Sequence, residues 1–255
     1  MKYFWVIVAA LALSACEQTP QQEVMSSVAG FELPEPITNN AVAMAEGPDG
    51  PTIYSFNGLK SGKTWQDTSN AAYACVVSIK ACEAITNVPV SEGRLASAAV
   101  TVAGTIYVFG GYTVAENGDE VSTPEVFAFH PADNSYTRKA DMPTPVDDMV
   151  AIPYQNRFIY LISGWHDEGN VSVVQLYDTQ TDAWTEATAF PGKPVFGHAG
   201  GIAGDSIIVT DGVAVVDRLV DGKRKFAAAK LTWRGDIDPK NPTEITWRGL
   251  MPMPV

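Results

Sequence analysis

The stretch Thr105–Tyr112, TIYVFGGY, is an apolar run that ends at two glycines, the second of them Gly111. It predicts a buried strand followed by a sharp turn, because glycine tolerates positive φ angles. Similar runs end at Gly58 (TIYSFNG), Gly164 (FIYLISG) and Gly212 (SIIVTDG). These four glycines are 53, 53 and 48 residues apart, and such a period predicts an array of equivalent units.

Each unit is predicted to contain four short antiparallel strands. An alternating run precedes each glycine strand, and a third strand, a turn, an aromatic residue and a proline follow it. Four-stranded units of this length are typical of β-propeller blades, whereas the alternative, a two-sheet sandwich, predicts no fixed period. The expected fold is all-β, with blades at about 33–89, 90–143, 144–191 and 192–252. The phrase MPMPV (251–255) repeats MPTPV (142–146), so we expect a fifth blade to begin there and the complete propeller to have six.

An apolar strand, a glycine pair and a Tyr or Trp further on resemble the kelch signature. Blade two carries it in full, as Gly110, Gly111 and Tyr136. The other blades carry degenerate forms: Asn57 and Gly58; Ser163, Gly164 and Trp184; Asp211, Gly212 and Trp233. The chain is loosely similar to bacterial kelch proteins of the N-acetylneuraminate epimerase type, and this resemblance implies action on acidic sugars. A copper oxidase of the galactose oxidase type fits poorly, because its copper site needs two His, two Tyr and a Tyr–Cys crosslink.

The first thirty residues predict targeting rather than fold. Lys2 and the apolar run 3–13 are typical of a signal peptide over 1–15. The run ends in Leu13-Ser14-Ala15-Cys16, which resembles a bacterial lipobox and implies acylation of Cys16; an ordinary signal peptide with an incidental Cys16 is the alternative. Residues 16–30 are expected to form a flexible tether to a propeller over 31–255. The predicted location is the bacterial cell envelope, facing the periplasm from the outer membrane, with membrane contact through the lipid anchor only.

The charge and the cysteine content indicate which partners and which covalent cross-link to expect. The formal net charge of −12 repels phosphate backbones, so nucleic acid is not an expected partner. Cys75 and Cys82 align with the third and fourth strands of a blade, and we expect a disulfide in the oxidising periplasm; two buried free thiols are the alternative. No cofactor and no metal are predicted, because the histidines lack a ligand spacing.

In a propeller, the starts of the inner strands and the loops between strands two and three share one face. Function concentrates on loops held by a rigid scaffold, so this face is the predicted ligand site. The candidate residues near inner-strand starts are Arg94, Asp148 and His198. The candidates in the loops are Lys60, Trp65, Tyr112, Trp165, His166, Asp211 and Arg224.

Bases and aromatic residues on this face predict an acidic sugar as ligand, since Arg pairs with carboxylates and aromatics stack on sugar rings. Arg94 has an alternative interpretation, as a brace between adjacent blades. Two functions stay open: an epimerase or mutarotase of acidic sugars, and a non-catalytic protein-interaction scaffold of the outer membrane.

Overall fold

The computed structural model describes residues 30–219, 222–230 and 232–252. The predicted signal peptide, Cys16, nearly all of the tether and the last three residues of the fifth-blade phrase lie outside these residues. Phe31–Val255 forms one compact unit. Within the described residues there is no α-helix, and a 3-10 turn spans Trp65–Asp67. The all-β prediction is confirmed.

Four antiparallel sheets follow one another along the chain, each a four-stranded meander. The first contains β2 (Ala41–Gly47), β3 (Gly50–Lys60), β4 (Thr68–Val76) and β5 (Ala81–Ile85), and β1 (Ile37–Thr38) pairs with the end of β3. The second contains β6 (Ala98–Val102), β7 (Thr105–Phe109), β10 (Val126–His130) and β11 (Ser135–Lys139). The third contains β12 (Val150–Tyr154), β13 (Phe158–Ile162), β16 (Val174–Asp178) and β17 (Ala183–Glu186). The fourth contains β18 (Ala199–Ala203), β19 (Ser206–Thr210), β22 (Trp233–Asp238) and β23 (Asn241–Gly249). Strands β2, β6, β12 and β18 lie side by side in chain order, so the sheets radiate from a common axis as propeller blades.

The loops between strands two and three of the last three blades fold into short hairpins. We call them the crown hairpins: β8 (Tyr112–Val114) with β9 (Glu120–Ser122), β14 (Trp165–His166) with β15 (Gly169–Asn170), and β20 (Val213–Arg218) with β21 (Arg224–Ala228). In blade one, β3 and β4 themselves extend past a bulge near Gly58 instead. The sequence predicted loops here. Strand pairing within the hairpins gives their backbone N–H and C=O groups hydrogen-bond partners that unpaired loops would find only in solvent.

The core lies between blades rather than within them. In β7, Ile106 and Val108 pack towards blade one, whereas Tyr107 and Phe109 pack towards blade three. Successive side chains of a strand point to opposite faces, so a strand buried on both faces must be apolar throughout. This explains the run TIYVF. Among the residues that the structure describes, no strand covers the outer faces of blades one and four, and Met44 on blade one is 62% exposed.

The glycine that ends each second strand is required by close packing. Gly111 has φ 88°, and a Cβ there would lie 2.4 Å from Ser97 Oγ and 2.6 Å from the Leu95 carbonyl. Any side chain would therefore push the crown hairpin away from the start of the inner strand.

The signature aromatic of the fourth strand packs on a partner in the third strand. The ring centroids of Tyr136 and Phe129 are 4.9 Å apart, and those of Trp184 and Tyr177 are 4.8 Å apart. Blade one has a disulfide at this position instead. Cys75 and Cys82 face each other on β4 and β5, with their Cα atoms 4.0 Å apart.

In blade four the predicted signature residue was wrong. Trp233 begins the third strand, β22, whereas the aromatic on the fourth strand is Trp247, which pairs with Gly235. A Cβ on Gly235 would lie 2.7 Å from Cζ3 of Trp247, so the indole occupies the space that a second ring fills in blades two and three. The β20–β21 hairpin is longer than the other crown hairpins, so the fourth strand of blade four comes later in the sequence than the repeat spacing predicts. This is why the spacing pointed to Trp233 instead of Trp247.

Candidate ligand site at the channel mouth

Backbone hydrogen bonds tie successive blades together just before their inner strands. The N–H of Ala96 donates to the Asn39 carbonyl at 3.2 Å, that of Asp148 to Ala96 at 3.0 Å, and that of Gly197 to Asp148 at 3.0 Å. All four residues have positive φ, between 48° and 59°. We call these four residues the mouth ring. Non-glycine residues in this conformation cost of order 1 kcal/mol or more and persist where the surroundings impose them.

The crown hairpins begin beside this ring. Pairs of backbone hydrogen bonds join Leu95 to Tyr112, Asp147 to Trp165, and Phe196 to Val213. The predicted loop residues Tyr112 and Trp165 are thereby brought next to the predicted inner-strand residue Asp148.

Carboxyl groups crowd together at the mouth ring in blades two and three. Asp147 is 2% exposed, and burial raises its pKa to about 7, with the charges of Asp148, Glu120 and Asp167 adding to the rise. Burial, and then Glu120, raise the pKa of Asp148 to about 6. Burial raises the pKa of Tyr112 to about 12, and Glu120 adds to it. With these pKa values, the carboxyl groups of Asp147 and Asp148 gain and lose protons near neutral pH, whereas an ordinary aspartate is fully ionised there.

Asp147 and Asp148 differ in access. Asp147 is buried, and the hydroxyl of Ser122 donates a hydrogen bond to its carboxyl group at 2.6 Å. Ser122 also exchanges hydrogen bonds with Asp167, through both backbone N–H groups, at 3.0 and 3.1 Å. Asp147 therefore fastens two crown hairpins together, whereas Asp148 is only half-buried and stays partly accessible.

Three aromatic residues next to the mouth ring pack together into a wall. The ring of Trp165 lies 5.5 Å from that of Phe196 and 6.2 Å from that of Phe226, centroid to centroid. The Arg224 guanidinium stacks on Trp165 at 5.0 Å and donates to the Glu168 carbonyl at 3.1 Å. This wall combines apolar faces with one fixed cation.

Two of the expected bases are paired with carboxylates of the chain. Lys60 pairs with Glu35 at 3.0 Å. Arg94 is 5% exposed; it bonds Thr123 and the Glu92 and Gly93 carbonyls, and it pairs with Glu125 at 3.3 Å. Because the N–H of Gly58 donates to its carbonyl, Arg94 connects blades one and two. The brace interpretation therefore holds, and the prediction that Arg94 faces a carboxylate ligand does not.

The histidines also depart from expectation. His198 bonds the Ile162 carbonyl of blade three through Nε2 at 2.9 Å, and burial lowers its pKa to about 4. The ring of His198 is thus held against blade three without a positive charge near neutral pH. His166 lies 3.7 Å from Asp167, at the edge of the site.

Two further candidates are not brought to the mouth ring. Trp65 is 39% exposed on the 3-10 turn of blade one, and Asp211 lines a cavity between blades three and four. Sequence reasoning missed Glu120 and Ser122 of the crown. Their signal was the alternation in DEVS (119–122), which predicts a strand.

The described residues contain no group of three or more His, Cys, Asp and Glu side chains placed to hold a metal ion. Among the same residues, no helix has the length and apolar character needed to cross a membrane.

Four-stranded blades around an axis, with loops gathered at one mouth, define a β-propeller. Residues 93–143 match the family described as "Kelch motif". Kelch-like protein 15 of Gallus gallus is 25% identical over 108 residues, which cover 42% of this chain and 22% of that protein. Kelch-like protein 36 of Bos taurus is 21% identical over 138 residues, which cover 54% of this chain and 22% of that protein. The matched segments thus span about a fifth of these relatives.

A solved structure titled "Structure of YjhT" has the same fold. It aligns with a TM-score of 0.63 and 19% identity, covering 87% of this chain and 67% of that chain. This likeness confirms the predicted fold class: the chain is a β-propeller, with a kelch motif in its second blade.

Proposed function

We propose that the mouth ring and the crown hairpins bind a hydroxyl-rich small molecule, a carbohydrate. The observation that carries the proposal is the half-buried Asp148, which lies close to Tyr112 and directly follows Asp147, whose backbone pairs with Trp165 of the aromatic wall. Carboxyl groups hydrogen-bond sugar hydroxyls, and aromatic faces stack on sugar rings. A few convergent polar groups beside apolar walls are typical of small-molecule sites.

The charges of the site favour a neutral sugar over an acidic one. Asp147, Asp148 and Glu120 lie together, and the raised pKa values of the two aspartates already reflect this crowding and their burial. A carboxylate ligand would add a further negative charge, while Lys60 and Arg94 are paired elsewhere. Binding of an acidic sugar is therefore the competing hypothesis, and the calorimetry described below compares the two.

An epimerase or mutarotase reaction is the enzymatic form of this proposal. A carboxyl group with a pKa of about 6 holds or releases a proton near neutral pH, as general acid and base catalysis requires. Asp148 would move the proton at the sugar oxygen, and Asp147 would hold the hairpins in place.

Calorimetry with galactose, glucuronate and sialic acid tests the ligand class. We expect galactose to bind at least as tightly as the acidic sugars near pH 7. Affinity for the acidic sugars should rise near pH 5, as Asp148 becomes protonated, and Asp148→Asn should remove this rise. Glu116→Gln, at an exposed acid in the turn between β8 and β9, is the control. Tighter binding of glucuronate near pH 7 would restore the acidic-sugar hypothesis.

NMR measurement of anomer exchange tests catalysis separately. We expect the wild-type chain to accelerate exchange of a bound sugar and Asp148→Asn to lose most of the acceleration. Binding with no acceleration would leave a binding protein without this chemistry.

A protein-interaction scaffold is the second candidate, and exposed apolar side chains on the loop face favour it. Val121 is 54% exposed on β9, and Phe226 is 48% exposed on β21. Exposed apolar clusters on a soluble surface mark interaction sites. Val121→Ser should weaken capture of a protein partner and spare galactose binding, whereas Asp148→Asn should do the reverse.

We further propose that the protein is anchored in the cell envelope through an acylated Cys16, on the strength of the lipobox resemblance. Cys16→Ser should abolish labelling by a fatty-acid analogue and release the protein from the membrane fraction. Membrane fractionation that does not change in this variant would contradict the anchor.

A further inference from the structure

A cavity lies between blades three and four, against the β20–β21 crown hairpin. It has a volume of about 230 Å³, and its walls include Phe190, Val209, Ala214 and Trp233. The rings of Phe190 and Trp233 meet edge to face, with centroids 6.2 Å apart. None of the residues of the mouth ring lines it.

The repeat provides an internal control for this cavity. The N–H of the second-strand glycine donates to the Arg94 carbonyl between blades one and two, and to the Val195 carbonyl between blades three and four. These two positions are therefore equivalent. In the first interface Arg94 and Glu125 fill the space and leave only about 10 Å³, the room of one water molecule. In the other interface Val195 and the small side chains of the hairpin leave the cavity open.

The same comparison explains why the hairpin does not close the gap. Ala214 and Ala227 face each other across β20 and β21, and Ala229 follows on the same side. Larger side chains there would occupy the space above Trp233. An unfilled apolar cavity costs stability, so a ligand that fills it gains the burial that the blade interface lacks.

The charges at the rim indicate the head group of that ligand. Lys193 and Lys230 line the cavity together with Asp211, and none of the three has an ion pair or side-chain hydrogen bond among the described residues. The rim therefore carries a net positive charge on a chain of net charge −12. We propose that this cavity binds an apolar carboxylate, with an aromatic or alkyl body against Phe190 and Trp233 and its carboxylate at the two lysines.

Calorimetry with three isosteric probes tests the proposal: phenylbutyrate, phenylbutanol and phenylbutylamine. We expect phenylbutyrate to bind most tightly and the amine most weakly. Lys193→Ala with Lys230→Ala should weaken phenylbutyrate about tenfold and leave phenylbutanol unchanged, since each exposed ion pair contributes up to about 1 kcal/mol. Lys225→Ala, an exposed lysine on β21 outside the cavity, is the matched control.

A filling variant tests the location. Ala227→Leu should abolish binding of phenylbutyrate while the circular dichroism spectrum and thermal midpoint stay as in the wild-type chain. If that variant fails to fold, backbone amide shifts of Ala227 and Ala229 on titration of the wild-type chain give the same information. Equal affinities for the three probes, absence of binding, or shifts confined to the mouth ring would overturn the proposal.

Discussion

Replacing Asp147 by Asn removes an ionisable group that the fold holds in an unfavourable setting. The pKa of Asp147 is about 7 in the folded chain, against 3.8 for an ordinary aspartate. Between these values the folded state keeps a proton that the unfolded state has lost, so the free energy of unfolding falls as pH rises. At 1.36 kcal/mol per pKa unit, the wild-type chain should lose about 2–3 kcal/mol on this account between pH 5 and pH 8. Over the same pH range, the free energy of unfolding of Asp147→Asn should fall by about 2–3 kcal/mol less than that of the wild-type chain.

Urea unfolding near pH 5 and near pH 8 measures this difference. Asn still accepts the hydroxyl of Ser122, so the hairpin contact survives, and any fixed cost of the substitution cancels between the two pH values. Asp49→Asn, at an exposed turn, should leave the pH dependence as in the wild-type chain. The reasoning is refuted if Asp147→Asn and the wild-type chain give parallel stability profiles with unchanged m values.

Three further stability predictions follow from the blades. Gly235→Ala should destabilise the chain by about 1–3 kcal/mol in urea unfolding, since its Cβ would meet the indole of blade four, whereas Gly201→Ala, with open space around it, should be tolerated; equal costs would contradict the packing argument. Cys75→Ser with Cys82→Ser should cost about 2 kcal/mol, because the disulfide spans a sequence separation of only 7. More free thiol than Cys16 alone can supply, titrated in the unfolded, unreduced wild-type chain, would show that the bond is absent. Arg94→Ala should cost about 2–3 kcal/mol by leaving its partner carboxylate unpaired, and loss of galactose affinity without loss of stability would restore its role as a ligand.

Local pattern was sufficient for the architecture. Apolar runs such as TIYVF, the glycines that close them and their near-constant spacing predict strands, turns and blades, because each reflects a constraint within a few residues of chain. The repeat also aligns Cys75 with Phe129 and Cys82 with Tyr136, because equivalent blades have the same strand register. The sequence alone therefore predicted that the two cysteines face each other. Blade four escaped it, because a longer hairpin shifts Trp233 out of the place where the pattern expects it.

The site required contacts between blades, which no local pattern contains. Sequence position brings Arg94 and Lys60 to the correct face but does not reveal that Glu125 and Glu35 neutralise them there. Likewise, the pKa of Asp148 depends on its burial and on the charge of Glu120, which lies in the β8–β9 hairpin of the preceding blade. The chain's order thus determines which residues reach the mouth of the propeller, because strand period and repeat length are local. Which of them remain free to bind is decided only when neighbouring blades pack, because charge pairing and desolvation depend on distances across the fold.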